Sequence, residues 1–322
     1  MKTIGFLISN KKYEKRRAII PSDLKSIRNV NNLYFEKGYG KTLGYSDDDY
    51  SENGVNIVSR NDIYDQDIVC STQPPLSTEY KNYKKGQIFF GFIDPLQQKD
   101  LSDFLIKRKM SVIAWGRMYY KNSSVFSKNN EIAGIAGLFH ALTYFGKIPT
   151  ECKVAIIGRG NAGNAIYKIL KNIGTDVIRY GRNSFIEFKE NIGSFDIIIN
   201  TVLWDILNKY RLIYKRDLKI MKKHSLIIDI SCNESLEIET TQAKPIDSPI
   251  YFVDGIMHYA VDHTPTIFWK TASNSISKQI KIYLDDLIED KFNKVLNNAT
   301  IIKNGEILDD RINQYQKRLN DN

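Results

Sequence analysis

Between residues 153 and 170 the chain reads KVAIIGRGNAGNAIYKIL, an apolar run that breaks at Gly158, passes Gly160, and restarts after Gly163 with helical periodicity. Glycines at this spacing, set between a strand and a helix, have a defined physical use. The first permits a tight turn and the second lets backbone approach a pyrophosphate. The third lets the helix pack on the strand while its first amides, beginning at Asn161, face the anion. The end of the next strand separates the two nicotinamide dinucleotides, because NAD sites commonly place a carboxylate there for the ribose hydroxyls. In DVIRYGRNSF that place holds Gly181, followed by Arg182, Asn183 and Ser184. A cation with two small hydrogen-bonding residues and no acid suits a ribose phosphate, so the expected cofactor is NADP.

Proton-carrying groups near neutral pH are the four histidines. His140 lies in the apolar helical run GLFHALTYFG and reads as a hydrogen-bonded core residue; His224, among lysines, reads as exposed. His258 and His263 fall in GIMHYAVDHTP, taken as the loop after the last strand of the second half, where strand ends face a ligand. His263, beside Asp262, is the favoured shuttle. No histidine pair has the spacing with a glutamate that marks a zinc site, and Cys70, Cys152 and Cys232 lack C-x-x-C spacing. Buried thiols and no metal are expected.

These groups must be positioned by a chain of 322 residues, enough for two cores. Hydrophobic residues make up 42% and charged residues 26%, and no apolar run approaches the ~18–20 residues of a membrane span. The start, MKTIGFLISNKKYEK, reads as a first strand, so a cytoplasmic protein without membrane attachment is expected. The net charge of +9 is spread among acids along the chain, which argues for a solvated basic surface and against nucleic acid. Short strands TIGFLIS, NLYFE, VNIVS, DIVCST, QIFFGFI and SVIAWG alternate with helical segments, the first led by Pro21 with Ser22 or Asp23 as capping candidates. A second series comprises KVAIIG, TDVIRY, FDIIINTV, SLIIDIS and IYFVDG, each apolar enough for burial on both faces. Near the end, Ile276, Ile280, Leu284, Leu287 and Ile288 recur at helical spacing. The predicted class is α/β, with two doubly wound parallel sheets.

Several stretches together resemble the alanine dehydrogenase, transhydrogenase and saccharopine dehydrogenase superfamily: KRRAIIPSDL, YFEKGYGKTLGYSDDDYSENGVNIV, NNEIAG, the glycine loop, and VDGIMHYAVDHTP. NTVLWDIL, LIIDISCNESLEIETT and VDHTPTIFWKTASNSISK are most similar to a branch that uses NADP to join pyruvate to the side-chain amine of ornithine or lysine. The resemblance implies two Rossmann-like domains with a cleft between them: a substrate domain of residues 1–128 plus 275–322, and an NADP-binding domain of residues 129–274. It also implies a homo-oligomer, a dimer or tetramer, with a keto acid and a diamino acid as substrates. Arg16 matches the family arginine that grips the substrate carboxylate, with Arg17 in reserve.

The chain departs from the pattern in three places. In CSTQPP, where alanine dehydrogenases carry a substrate-binding lysine, stand Thr72 and Gln73. Asp94 stands at the place of the catalytic histidine, and Asn233 at that of an aspartate. One explanation is a rewired site, in which a buried Asp94 carries protons and Arg117 supplies the missing cation. The alternatives are another amino-acid dehydrogenase of the superfamily, or a catalytically silent protein that binds NADP.

Overall fold

A computed structural model describes all residues except 204, 206, 209, 233–236 and 319–322. The chain forms two compact units, Met1–Ser127 with Trp269–Asn322, and Lys128–Phe268. The return to the first unit comes at Trp269 because a single unbroken helix, Trp269–Ile288, begins there. The expected boundary at 275 fell inside that helix.

The first unit carries strands β1 (Ile4–Phe6), β2 (Leu33–Glu36), β3 (Asn56–Val58), β4 (Ile68–Ser71), β5 (Ile88–Gly91) and β6 (Ser111–Ala114). They are parallel and ordered 3-2-1-4-5-6, so the sheet grows one way from β1 and then reverses. Both faces are buried. Cys70, Phe90 and Ile113 share one core with Ile276, Ile280, Leu284 and Leu287 of the long helix; the alternate residues Val69, Phe89 and Val112 share another with Leu101 and Leu105. Burial on both faces is why these strands read as continuous apolar runs instead of alternating ones. A short hairpin, β7 (Tyr119–Tyr120) with β8 (Ser123–Ser124), follows β6.

Residues Lys128–Phe268 form the second doubly wound layer, which contains β9 (Lys153–Ile157), β10 (Asp176–Tyr180), β11 (Ile197–Asn200), β12 (Leu226–Asp229), β13 (Ile250–Val253) and β14 (Ile256–Ala260). Their order is β10-β9-β11-β12-β14-β13, reversing between β9 and β11. One face packs Leu138, Ala141, Ile166 and Leu170 from two helices, and the other packs Phe188 with Phe195 and Leu218. The chain then returns to the first sheet, where β15 (Thr300–Lys303) and β16 (Glu306–Ile307) extend it antiparallel beyond β6.

Three expectations are corrected. Neither Ser22 nor Asp23 caps the helix Pro21–Leu24; Ile20 is the cap residue, and the buried Asp23 instead accepts from Ser277 Oγ (2.6 Å) and Lys281 Nζ (2.7 Å). IYFVDG is not a doubly buried strand: β13 is the antiparallel edge, with Phe252 60% exposed. His258 lies on β14 and not in a loop, because Asp254 (φ +50°) and Gly255 (φ +81°) form a two-residue turn that pairs Val253 with Ile256. Cys70, Cys152 and Cys232 are buried free thiols. Among the described residues no helix is long and apolar enough to cross a membrane, and no group of His, Cys, Asp or Glu could hold a metal ion.

Candidate active site

The glycine loop follows β9 at the point where the second sheet reverses, the position at which open α/β sheets hold ligands. Gly158 takes φ +113°, and a Cβ there would stand 2.5 Å from Thr201 Oγ1. At Gly163 a Cβ would stand 2.6 Å from the Gly158 carbonyl oxygen. Gly160 differs: nothing lies within 4 Å of a Cβ built on it. It caps the twelve-residue helix Asn161–Asn172 without a side chain, so no side-chain cap takes up the first-turn amides. Two closed glycines and one open one therefore form a seat that fits a dinucleotide pyrophosphate.

At the end of β10, Gly181 donates its amide to Ser184 Oγ (2.9 Å), and Ser184 Oγ donates back to the Gly181 carbonyl (3.3 Å). Ser184 thus shapes its own turn. Arg182 and Asn183 are exposed. Arg159, which the sequence reading passed over, lies across Gly181, its Nε 3.3 Å from where a Cβ would be. Its position between the first two glycines was the available signal, since that residue leaves β9 beside the end of β10. Arg179 is committed elsewhere, donating to Asn164 Oδ1 (2.6 Å) and lying 4.4 Å over the Tyr167 ring.

Beyond β12 and β14 the polar groups are more deeply buried. Asp229 accepts from Asn200 (3.0 Å), Thr241 (2.7 Å) and the Ser231 amide (3.1 Å). His258 uses both nitrogens: Nδ1 donates to the Ile256 carbonyl (3.0 Å), so Nε2 accepts from Thr240 Oγ1 (2.8 Å). Burial lowers its pKa, and a neutral imidazole with both nitrogens engaged is no shuttle. His140 pairs with Tyr259 OH (3.1 Å), and burial lowers its pKa as well. His263 is different. Nδ1 meets Asp262 Oδ1 at 2.5 Å, the ring is 5% exposed, and the buried Nε2 has no hydrogen-bond partner among the described residues. Asn233 lies outside the described residues.

In the first unit the expected residues follow four adjacent strands, β1, β4, β5 and β6, at their carboxyl ends. Arg16 Nε donates to Glu14 Oε1 (2.9 Å) and its Nη2 to Oε2 (2.6 Å), while Gln73 Nε2 donates to the same Oε2 (2.7 Å). The Arg16 guanidinium also lies 5.4 Å over the Phe92 ring. This cluster is buried, and Thr72 is buried next to Gln73 in sequence. Burial pushes the Glu14 pKa up, but the charge and hydrogen bonds of Arg16 and the bond from Gln73 outweigh it and hold the carboxyl below its ordinary range. Arg17 goes to main chain instead, donating to the carbonyls of Tyr39 (2.5 Å) and Arg16 (2.8 Å).

Asp94 is 59% exposed, so the burial that its proton-carrying role required is absent. Its Oδ1 accepts from the Leu96 amide (3.1 Å). Arg117 Nη2 stands 3.8 Å from Asp94 Oδ2 and 3.9 Å from Asp309 Oδ2. Arg311 holds Asp309, which the segment after β16 delivers.

Two family models match the chain, the alanine dehydrogenase/PNT N-terminal domain over residues 9–133 and the alanine dehydrogenase/PNT C-terminal domain over residues 178–311. A protein of Clostridium botulinum named N(5)-(carboxyethyl)ornithine synthase is 33% identical over 89% of this chain and 98% of its own length. A protein of the same name from Lactococcus lactis is 30% identical over 85% and 92%. Among solved structures, an L-alanine dehydrogenase superposes with a TM-score of 0.81 at 20% identity over 98% of this chain and 99% of its own. A transhydrogenase from Sinorhizobium meliloti gives 0.77 at 18% identity over 95% and 99%. With both family models matched and relatives 30–33% identical over most of its length, the chain belongs to the alanine dehydrogenase/PNT family and within it is similar to N(5)-(carboxyethyl)ornithine synthases.

Proposed function

We propose that this oxidoreductase of the alanine dehydrogenase family uses NADPH to reduce the C=N bond formed between pyruvate and the side-chain amine of ornithine or lysine. The product is an N-(1-carboxyethyl) amino acid. The observation that carries the cofactor choice is Gly181 at the ribose position, with Arg159 across it, Arg182 beside it and no carboxylate in the turn. The substrate choice is supported by the name shared by the Clostridium botulinum and Lactococcus lactis relatives.

In this reading Arg16 binds the keto-acid carboxylate, held in orientation by Glu14 and Gln73. The amine adds to the keto carbon, and loss of water from the carbinolamine gives the imine. Within the second unit His263, oriented by Asp262 and with Nε2 unpartnered among the described residues, is the proton carrier of this reading. When bound at the glycine loop, the dihydronicotinamide supplies the hydride for the imine carbon.

The test is nicotinamide oxidation with pyruvate plus ornithine, lysine or ammonia, using NADPH or NADH. Oxidation should require a diamino acid and favour NADPH. Arg159→Gln should weaken NADPH about tenfold and leave NADH alone, the loss expected for one hydrogen bond to a charged group. Sufficiency of ammonia would convert the assignment to an amino-acid dehydrogenase, a reading favoured by the 25% identity to alanine dehydrogenase 1 of Staphylococcus aureus over 96% of the chain.

A further inference from the structure

The three arginines at the carboxyl ends of the first sheet are not equivalent. Arg16, given to the keto acid in the reading above, is buried and bonds Glu14 through Nε and Nη2. Arg17 is tied to main-chain carbonyls. The Arg117 guanidinium is 31% exposed, stands near two acids at 3.8 and 3.9 Å, and makes no hydrogen bond to either. A half-buried guanidinium whose donors are accessible and make no hydrogen bond to the acids beside them is open to a ligand. Two residues before it, Trp115 forms an aromatic cluster with Phe92 and Phe126, with ring centroids 5.0–5.3 Å apart.

The neighbouring charges define the ligand. Asp309 is neutralised by Arg311, which leaves Asp94 Oδ2 as the free acid facing Arg117. A simple keto acid placed on Arg117 would meet that carboxylate unfavourably. An α-amino acid would not, because it carries an ammonium on the carbon next to its own carboxylate. The 3.8 Å gap is too long for a direct bond between Arg117 and Asp94. It is short enough for one α-carbon to present its carboxylate to Arg117 and its ammonium to Asp94.

We infer that Arg117 and Asp94 form the subsite for the α-amino-acid head of the diamino acid. This rests on the reductive-condensation reading above and adds the reason for its regiochemistry. An α-amine held as ammonium against Asp94 has no lone pair for the keto carbon, so the side-chain amine is the one that reacts. Asp94 is thereby a specificity residue instead of a proton carrier.

The test uses the full-length protein at saturating NADPH and pyruvate, with three amines: ornithine, 1,4-diaminobutane, which lacks the carboxylate, and 5-aminopentanoate, which lacks the α-amine. The unsubstituted protein should prefer ornithine over both in kcat/KM. Arg117→Gln should erase the preference over 1,4-diaminobutane, and Asp94→Asn the preference over 5-aminopentanoate. Each should raise the ornithine KM about 10- to 100-fold, with the pyruvate KM and NADPH binding retained. Equal use of all three amines by the unsubstituted protein overturns the subsite with no variant needed. Unchanged ornithine KM in both variants, or a rise in pyruvate KM instead, overturns it too. Failure of every diamino acid to support NADPH oxidation removes the reaction itself, and the subsite with it; oxidation with ornithine but no effect of the variants removes the subsite alone.

Discussion

Glu14 shows how much one unannounced residue changes a site. Arg16 was legible from its distance to Pro21 and the resemblance of KRRAIIPSDL, but its partner was not, although Glu14 stands two residues before it. Only folding shows that the acid is buried, that Gln73 joins it, and that the departure from lysine in CSTQPP places a neutral donor on the Glu14–Arg16 pair. Because the folded-state pKa of Glu14 lies below the unfolded value, the pair contributes stability above about pH 4.3, lost as pH falls through the folded pKa. Glu14→Gln should flatten that acid limb of the stability curve. It should also cost about 3–5 kcal/mol at neutral pH, since Arg16 would remain buried without its counter-charge. Denaturant titrations between pH 3 and 7 measure both effects, and an unchanged acid limb would refute the assignment.

At the level of elements, the turns decide what the apolar runs become. Gly160 and Gly163 sit in one loop but answer to different constraints, and alanine at each should separate them. Gly163→Ala forces a Cβ to 2.6 Å from the Gly158 carbonyl, so stability should fall by about 1–3 kcal/mol and dinucleotide affinity with it. Gly160→Ala meets nothing in the protein, so stability should hold while dinucleotide binding alone weakens. Thermal melts beside fluorescence titrations distinguish the two. The same turn logic was available, and unused, at two places. Asp254–Gly255 makes the β13–β14 hairpin, and Asn304–Gly305, with φ +51° and +84°, makes the β15–β16 hairpin. Asp-Gly and Asn-Gly dipeptides between apolar runs are strong hairpin signals, and reading the first would have placed His258 on a strand.

At the scale of the molecule, the first unit closes its core only with residues made after the second is complete. Ile280, fully buried on the returning helix, packs with Phe6, Phe35 and Phe90 of the sheet. Ile280→Ala should therefore destabilise the first unit by about 2–5 kcal/mol, read as an earlier denaturant transition in the fluorescence of buried Trp115. The sequence alone determined the α/β class, the strands of both series up to β12, the glycine turn and the returning helix. Each of these is written in local periodicity or in a backbone conformation that few residues can take. It could not determine which arginine is already occupied. Glu14, Asp94 and Arg117 have the same residue types whether buried or exposed, paired or open, and only the packing of β1, β4, β5 and β6 side by side sets their distances and their access to water. Charge chemistry depends on those two quantities, and a one-dimensional string carries neither.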